Sequence, residues 1–220
     1  MWLAFWFASL RWLSSSTLQD TFCLINPLRP GKKLLVLDLD YTLFDMKGTS
    51  EDWKVLKRPF THRFLTRMYA HYELVVWSQT SWRWLEVKLT ELGILTHPSY
   101  KVAFVMDKTS MFSITAPDER AGNGATRKHH VKCLELIWRR FPQWSAKNTI
   151  HVDDLGRNFA LNPQSGLKIS AYKNSDVTRA TDRELPLLAR YLADIALLED
   201  FSKLDHGKWK KHVDTLPPEQ

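Results

Sequence analysis

Four short apolar runs punctuate the chain: Leu34 to Leu37, Leu74 to Trp77, Val102 to Val105 and Thr149 to Val152. They are rich in leucine and β-branched residues and lack a regular polar alternation, which is the pattern of parallel strands buried on both faces. Between and after them the period changes. Pro59 opens a helical pattern with Phe60, Phe64 and Met68 on one face, and Trp82, Leu85, Leu89 and Leu92 form a second stripe closed by Gly93. Val131, Leu134, Ile137, Trp138 and Phe141 make a third, and Leu188, Tyr191, Leu192, Ile195 and Leu198 a fourth. Strands alternating with helices predict βαβ units, hence an α/β, three-layer architecture with a mostly parallel sheet and helices on both faces.

Two stretches break the alternation. Residues 43 to 57, LFDMKGTSEDWKVLK, follow the first strand directly and suit a short hairpin flap. Residues 107 to 128, DKTSMFSITAPDERAGNGATRK, read as too polar and glycine-rich for a packed element and as an insertion near the site. Ahead of the breaker NPLRPGKK, the first 31 residues carry no acid before Asp20, and their apolar stretch is interrupted by Arg11. About 20 apolar residues are needed to span a bilayer, so no transmembrane span is expected there. The stretch lacks the basic start of a signal sequence and the arginines of a mitochondrial presequence. The expected boundaries are an N-terminal extension at 1–31, disordered or targeting, a folded domain at 32–211 and a C-terminal tail at 212–220.

Composition adds little to the fold and something to the partner. The 220 residues, 44% of them hydrophobic, suffice for a single domain with a substantial core. Lysine and arginine outnumber acids by 31 to 24, giving +7, so an anionic partner is favoured. Nucleic acid is a minor alternative, because the excess is spread along the chain in short clusters. Cys23 and Cys133 have no pairing or metal-ligand spacing, so disulfides are not expected. Adjacent His129 and His130 likewise lack ligand spacing.

The candidate chemistry sits where the strands end. LLVLDLDYTLFD places Asp38, Asp40 and Asp45 directly behind an apolar strand, although acids are poor strand formers and costly to bury. In an open α/β sheet, ligands bind beyond the carboxyl ends of the strands. There the chain sets Asp38, Asp40 and Thr42 after the first run, Ser78 and Thr80 after the second, Lys132 before the third helix, and Asp153 and Asp154 after the last run. Each alone has a bland explanation as a cap, a turn or an exposed helix residue. Gathered at one sheet edge, four carboxylates would repel one another unless a hard cation sat among them, and an oxygen-only cage favours Mg²⁺.

DxDxT behind an apolar strand, followed by Ser/Thr, Lys and a double Asp, resembles the haloacid-dehalogenase-superfamily phosphatases. The blocks LDLDYTLFD, RPF, VVWSQT, ELGI, NTIHVDDLGRNFALNPQSGLKI and LPLLARYLADIALLEDF are similar to the RNA polymerase II carboxy-terminal-domain phosphatase branch, and within it to the members that carry a ubiquitin-like domain. The resemblance covers about residues 32 to 211. It implies a Rossmann-like haloacid-dehalogenase fold with a short flap and a small insertion in place of a large cap. It also implies a Mg²⁺-dependent protein serine/threonine phosphatase working through an aspartyl-phosphate.

On that resemblance Asp38 is the nucleophile and Asp40 the general acid and base, with a raised pKa from crowding by like charges. Thr42 fixes the turn or binds a phosphoryl oxygen, Ser78 donates to another, and Lys132 supplies positive charge. Asp38, the Asp40 carbonyl and Asp153 hold Mg²⁺, while Asp154 orders a metal water or Lys132. Asn158 is read as structural, and His151 stands where an apolar residue is expected. Nothing in residues 1–31 is long enough for a ubiquitin-like module, so proteasome docking does not carry over. The candidate partners are a phosphoserine or phosphothreonine protein, the RNA polymerase II tail and the proteasome. Nuclear residence is expected, with cytoplasm or mitochondrion as alternatives. The rival functions are a small-molecule phosphatase, disfavoured by the short insert after Asp45, and a catalytically silent adaptor.

Overall fold

A computed structural model describes residues 22, 24–117 and 125–218. Its main sheet has five parallel strands in the order β3-β2-β1-β6-β7. These are β1 (Lys33–Leu37), β2 (Tyr72–Trp77), β3 (Val102–Met106), β6 (Thr149–Asp153) and β7 (Gly166–Lys168). The four apolar runs are therefore strands, and β1 lies at the centre. Only β7, three residues long, escaped the hydrophobic pattern.

Alternate residues of the central strands face opposite layers. Leu35, Leu37, Leu74 and Val76 point into one hydrophobic cluster, and Leu34, Val36, Val75 and Trp77 into the other. The first cluster is closed by α2 (Thr61–Tyr69), α3 (Trp82–Glu91), α6 (Glu184–Ile195) and α7 (Trp209–Thr215), through Phe64, Leu85, Leu188 and Trp209 among others. The second is closed by Leu136 and Ile137 of α4 (Glu135–Arg140) and by Phe141, Trp144 and Phe22.

Both layers thus carry helices, and only the ends of the predicted stripes differ. Phe60, Trp82 and Leu198 are exposed rather than in the core. Phe60 caps α2 with φ 65° instead of joining its buried face.

The two irregular stretches take definite forms. In the first, the Asp45 N–H donates to the Leu56 carbonyl and the Arg58 N–H to that of Leu43, both at 2.9 Å, so the flap closes as a narrow loop. The short α1 (Trp53–Leu56) lies within it, and Trp53 stacks on Phe44. The second stretch was expected to hold no packed element, yet β4 (Phe112–Pro117) pairs antiparallel with β5 (Thr126–Val131). The alternation in Phe112-Ser113-Ile114-Thr115 is a strand signal, masked by the glycines and charges that follow. Residues 118–124, between the two strands, lie outside the described residues.

Packing also extends beyond both boundaries drawn from the sequence. Phe22 meets Phe104 and Phe141 edge-on, and the Ile25 N–H donates to the Ala103 carbonyl at 2.8 Å. Arg29 forms a salt bridge with buried Glu73 and donates to the Tyr69 carbonyl at 2.6 Å. At the other end, the proposed boundary at residue 212 falls inside α7, whose Val213 is buried against the first cluster. The N-terminal segment is held by ring contacts, backbone hydrogen bonds and an ion pair, which a boundary placed at a Pro/Gly/Lys breaker does not detect. Of the proposed extension at residues 1–31, residues 1–21, with Trp2, Trp6 and Trp12, and Cys23 lie outside the described residues. No helix among the described residues is long and apolar enough to cross a membrane.

Candidate active site

The carboxyl ends of β1, β2 and β6 are adjacent, because these strands pair in register from Leu37 to Val76 on one side and to Val152 on the other. Asp38 leaves the sheet beside β6, its N–H donating to the Val152 carbonyl at 2.9 Å. The chain then turns tightly. The N–H groups of Thr42, Leu43 and Phe44 all point to the Leu39 carbonyl at 3.2, 2.9 and 3.2 Å, and Tyr41 takes a left-handed φ of 62°. Such a backbone is unfavourable for a bulky residue and persists only where its surroundings hold it. Here Tyr172 N–H holds the Tyr41 carbonyl at 2.6 Å, and buried Arg58 donates to the Thr42 carbonyl at 3.1 Å. Arg58 is itself held by Asp182 at 2.8 Å.

This turn separates two carboxylates that are two residues apart. Asp38 is buried, and its oxygens accept from Lys132 Nζ at 2.6 Å and Thr42 Oγ1 at 3.0 Å. Lys132 follows the last residue of β5, so the hairpin delivers it to the site. It also reaches Asp153 Oδ2 at 2.6 Å and is fully buried.

Asp40 belongs to a different set of donors: Ser78 Oγ at 3.1 Å, Thr80 Oγ1 at 2.7 Å and Lys88 Nζ at 2.5 Å. Its side chain stays 14% exposed, against 7% for that of Asp38.

The charges are unequal around Lys132. Burial lifts Asp38 to about 8, Lys132 opposes that rise and Asp153 adds to it. Burial also pushes on Asp153, but Lys132 and His151 carry it well below the usual carboxylate range. Asn158 Nδ2 at 2.7 Å and the Leu155 N–H at 2.8 Å complete its donors. Burial disfavours the Lys132 cation, yet the two acids outweigh it and raise its pKa. Asp154 is raised by burial and then by Asp153. Three acids thus share one cation, Lys132.

Carboxylate oxygens of Asp38, Asp153 and Asp154 lie within 4.8 Å of one another. This donor set is buried, oxygen-only and short of positive charge, and so fits a hard divalent cation. Asp154 is one of the three, where the sequence placed it behind the ligands. The Asp40 side chain is held by Ser78, Thr80 and Lys88 and is not one of the three.

Comparison with known proteins bears on what such a site belongs to. A model of the family described as NLI interacting factor-like phosphatase matches residues 33–202. The chain belongs to that family. It is 44% identical over 190 residues to the ubiquitin-like domain-containing CTD phosphatase 1 of Danio rerio, covering 86% of this chain and 58% of that protein. The Rattus norvegicus protein of that name is 45% identical over 190 residues, again 86% of this chain and 58% of the relative. That of Homo sapiens is 44% identical over 191 residues, with the same coverage. The chain thus spans less than two thirds of these relatives' length.

Among solved structures, "The Structure of Fcp1, an essential RNA polymerase II CTD phosphatase" matches with TM-score 0.50 at 15% identity, over 75% of this chain and 62% of that one. At that identity the likeness is one of fold, and it agrees with the three-layer α/β reading.

Within this NLI interacting factor-like domain, Asp38, Asp40, Asp153 and Asp154, unlike Asp45, which accepts from the Ser175 N–H at 2.9 Å, meet at one sheet edge together with Thr42, Ser78 and Lys132. Ser78 does so differently from expectation, since its hydroxyl hydrogen is directed at Asp40. Sequence reasoning did not find Lys88, Thr80's role, Arg58 or the contact of Asn158. Lys88 sits among the apolar positions of the α3 stripe, one residue before Leu89, and a lysine there reads as a surface residue. Its position two helical turns beyond Thr80 is the only signal that could have marked it.

Proposed function

We propose that this domain is a Mg²⁺-dependent phosphatase for phosphoserine and phosphothreonine in protein segments, acting through an aspartyl-phosphate on Asp38. One observation carries the proposal: Lys132 holds Asp38 and Asp153 together at 2.6 Å each, while Asp40 is held apart by its own donors. Two neighbouring carboxylates in separate environments suit two separate roles. Asp38, oriented by Thr42, attacks phosphorus in line with the ester oxygen, a displacement open to a carboxylate nucleophile. Asp40 gives its proton to that oxygen as the phosphorus–oxygen bond breaks, releasing serine or threonine. Asp40 then takes a proton from water, which attacks the phosphoryl group, frees phosphate and restores Asp38. The Lys132 ammonium lies against the charge that develops on the phosphoryl oxygens. Asp38, Asp153, Asp154 and the Asp40 carbonyl would hold Mg²⁺, which would ionise Asp38 and neutralise phosphoryl charge.

The family favours a phosphorylated peptide over an enclosed metabolite. The relatives' printed name points to the RNA polymerase II tail as the first substrate to try, and nuclear residence would accompany it. The test is hydrolysis of an aryl phosphate and of phosphoserine peptides, with Mg²⁺ and with chelator. Metal-dependent release of phosphate from both is expected. Turnover unaffected by chelation, or no turnover at all, would sink the reading.

A further inference from the structure

A groove of about 820 Å³ begins at Asp154 and runs along the end of β7 to α7. Asp154 also belongs to the carboxylate cluster, so the groove opens directly onto the candidate phosphoryl site. Five lysines line it: Lys168, Lys173, Lys208, Lys210 and Lys211, all exposed. Against them the lining has two acids, Asp154 and Glu184. Lys210 is paired with Glu184 at 2.7 Å, and Lys208 with Asp205 at 2.7 Å. Among the described residues no carboxylate pairs with Lys168, Lys173 or Lys211. Lys173 stands over the Tyr41 ring at 4.9 Å, at the mouth of the site. Ile169 and Trp209, both buried, form part of the lining.

The opposite side of Lys173 is different. A second recess of about 450 Å³ sets Lys47 and Lys173 against Asp45 and Asp176. Of these two recesses, only the one running to α7 is lined by more lysines than acids. An anionic residue beside the phosphorylated one gains where it meets unpaired lysines.

We propose that the groove from Asp154 to α7 receives the acidic flank of the phosphorylated substrate, carboxylates or a second phosphoryl group, on one side only of the residue being hydrolysed. This rests on the phosphopeptide reading above and adds a substrate preference to it. Simple attraction by a basic chain would favour acids on either flank, whereas a one-sided groove would not.

The test compares kcat/KM for phosphoserine peptides carrying three glutamates before the phosphoserine, three after it, or glutamines at all six positions. A second phosphoserine replaces the glutamates in a further pair. An exposed charge pair contributes modestly, so about a fivefold gain is expected for acids on one flank, mostly in KM, and falling with salt. The double variant Lys168→Glu/Lys211→Glu should remove that gain and leave aryl phosphate turnover unchanged. Lys168→Gln/Lys211→Gln should remove most of it without introducing new charge. Equal gains from both flanks, or a gain that survives charge reversal, would overturn the groove. Turnover of the glutamine peptide with no flank preference would overturn the groove but not the phosphatase. Turnover of aryl phosphate and of no peptide would overturn the phosphopeptide reading and the groove with it.

Discussion

Lys88 Nζ lies 2.5 Å from Asp40 Oδ1, and the same ammonium reaches Thr80 Oγ1 at 3.2 Å. Three donors from one strand end and one helix thus fix the carboxylate proposed to move the proton. Asp40 was expected to stand among like charges, but α3 sets a cation against it. Lys88→Met keeps the buried stem and deletes the charge. Turnover of a phosphoserine peptide should fall by about tenfold, a part of what acid–base catalysis contributes, and turnover of an aryl phosphate less, because its leaving group needs little protonation. Lys88→Arg should restore part of the loss. Equal loss on both substrates would show that Lys88 supports the fold rather than the proton transfer.

Lys132 poses the stability question. It is fully buried between Asp38 and Asp153. Breaking a buried pair by removing one partner costs about 3–5 kcal/mol, because the remaining charge is uncompensated. Lys132→Met should therefore lower the melting temperature in chelator as well as abolish turnover. Mg²⁺ should raise the variant's melting temperature more than the parent's, since it supplies the missing positive charge. An unchanged melting temperature would mean that the two acids relax apart or take up protons at little cost.

His206 gives the protein a pH dependence remote from the site. It is buried beside Tyr191, with Nδ1 2.8 Å from the phenol oxygen, and burial lowers its pKa from 6.5 to about 4 despite Asp205. The unfolded chain binds this proton more readily, so the stabilisation is present above pH 6.5 and is lost as pH falls towards about 4. His62 is lowered to about 4 in the same way and adds to the effect. Unfolding free energy followed through this range should fall less steeply in His206→Phe than in the parent, by up to one proton's worth. Parallel slopes would show that His206 titrates alike folded and unfolded.

The sheet was legible because buried parallel strands leave apolar or β-branched runs, as β1, β2 and β3 do and as β6 does on either side of His151. β7 was not, since three residues carry no period. The acids, Thr42 and Lys132 were legible because each lies next to a strand end or element boundary, where an unusual polar residue stands out. Lys88 and Arg58 act over 48 and 16 residues of sequence, on Asp40 and the Thr42 carbonyl, and only the packing of α3 and the flap brings them there. Asn158 was passed over for the opposite reason: in a polar loop, one more amide carries no contrast.

The segment ahead of β1 can be tested by deletion. A chain lacking residues 1–30 loses Phe22 and also leaves Glu73 buried without Arg29. Compared with one lacking residues 1–20, it should melt at lower temperature, with Phe22→Ala alone contributing about 3 kcal/mol. Arg29→Met should also destabilise, by exposing the penalty of a buried carboxylate. Identical melting of the two deletions would mean that Phe22 and Arg29 only rest on a domain complete without them.

The two acids of the opening motif provide the most direct test of mechanism, because they sit in separate hydrogen-bond sets and should fail differently. Asp38→Asn removes the attacking oxygen while Lys132 stays held by Asp153, so turnover should vanish with the fold retained. Asp40→Asn keeps the nucleophile and its own backbone carbonyl but loses a proton shuttle contributing roughly 10²–10⁴-fold. Formation of the intermediate should then suffer less with an aryl phosphate than with phosphoserine. Its hydrolysis still needs a base, so phosphoenzyme should accumulate in Asp40→Asn. Rapid quench and mass spectrometry would look for added phosphoryl mass on the peptide carrying residue 38. If neither the parent nor Asp40→Asn carries it while the parent turns over, water attacks phosphorus directly and Asp38 serves only to bind.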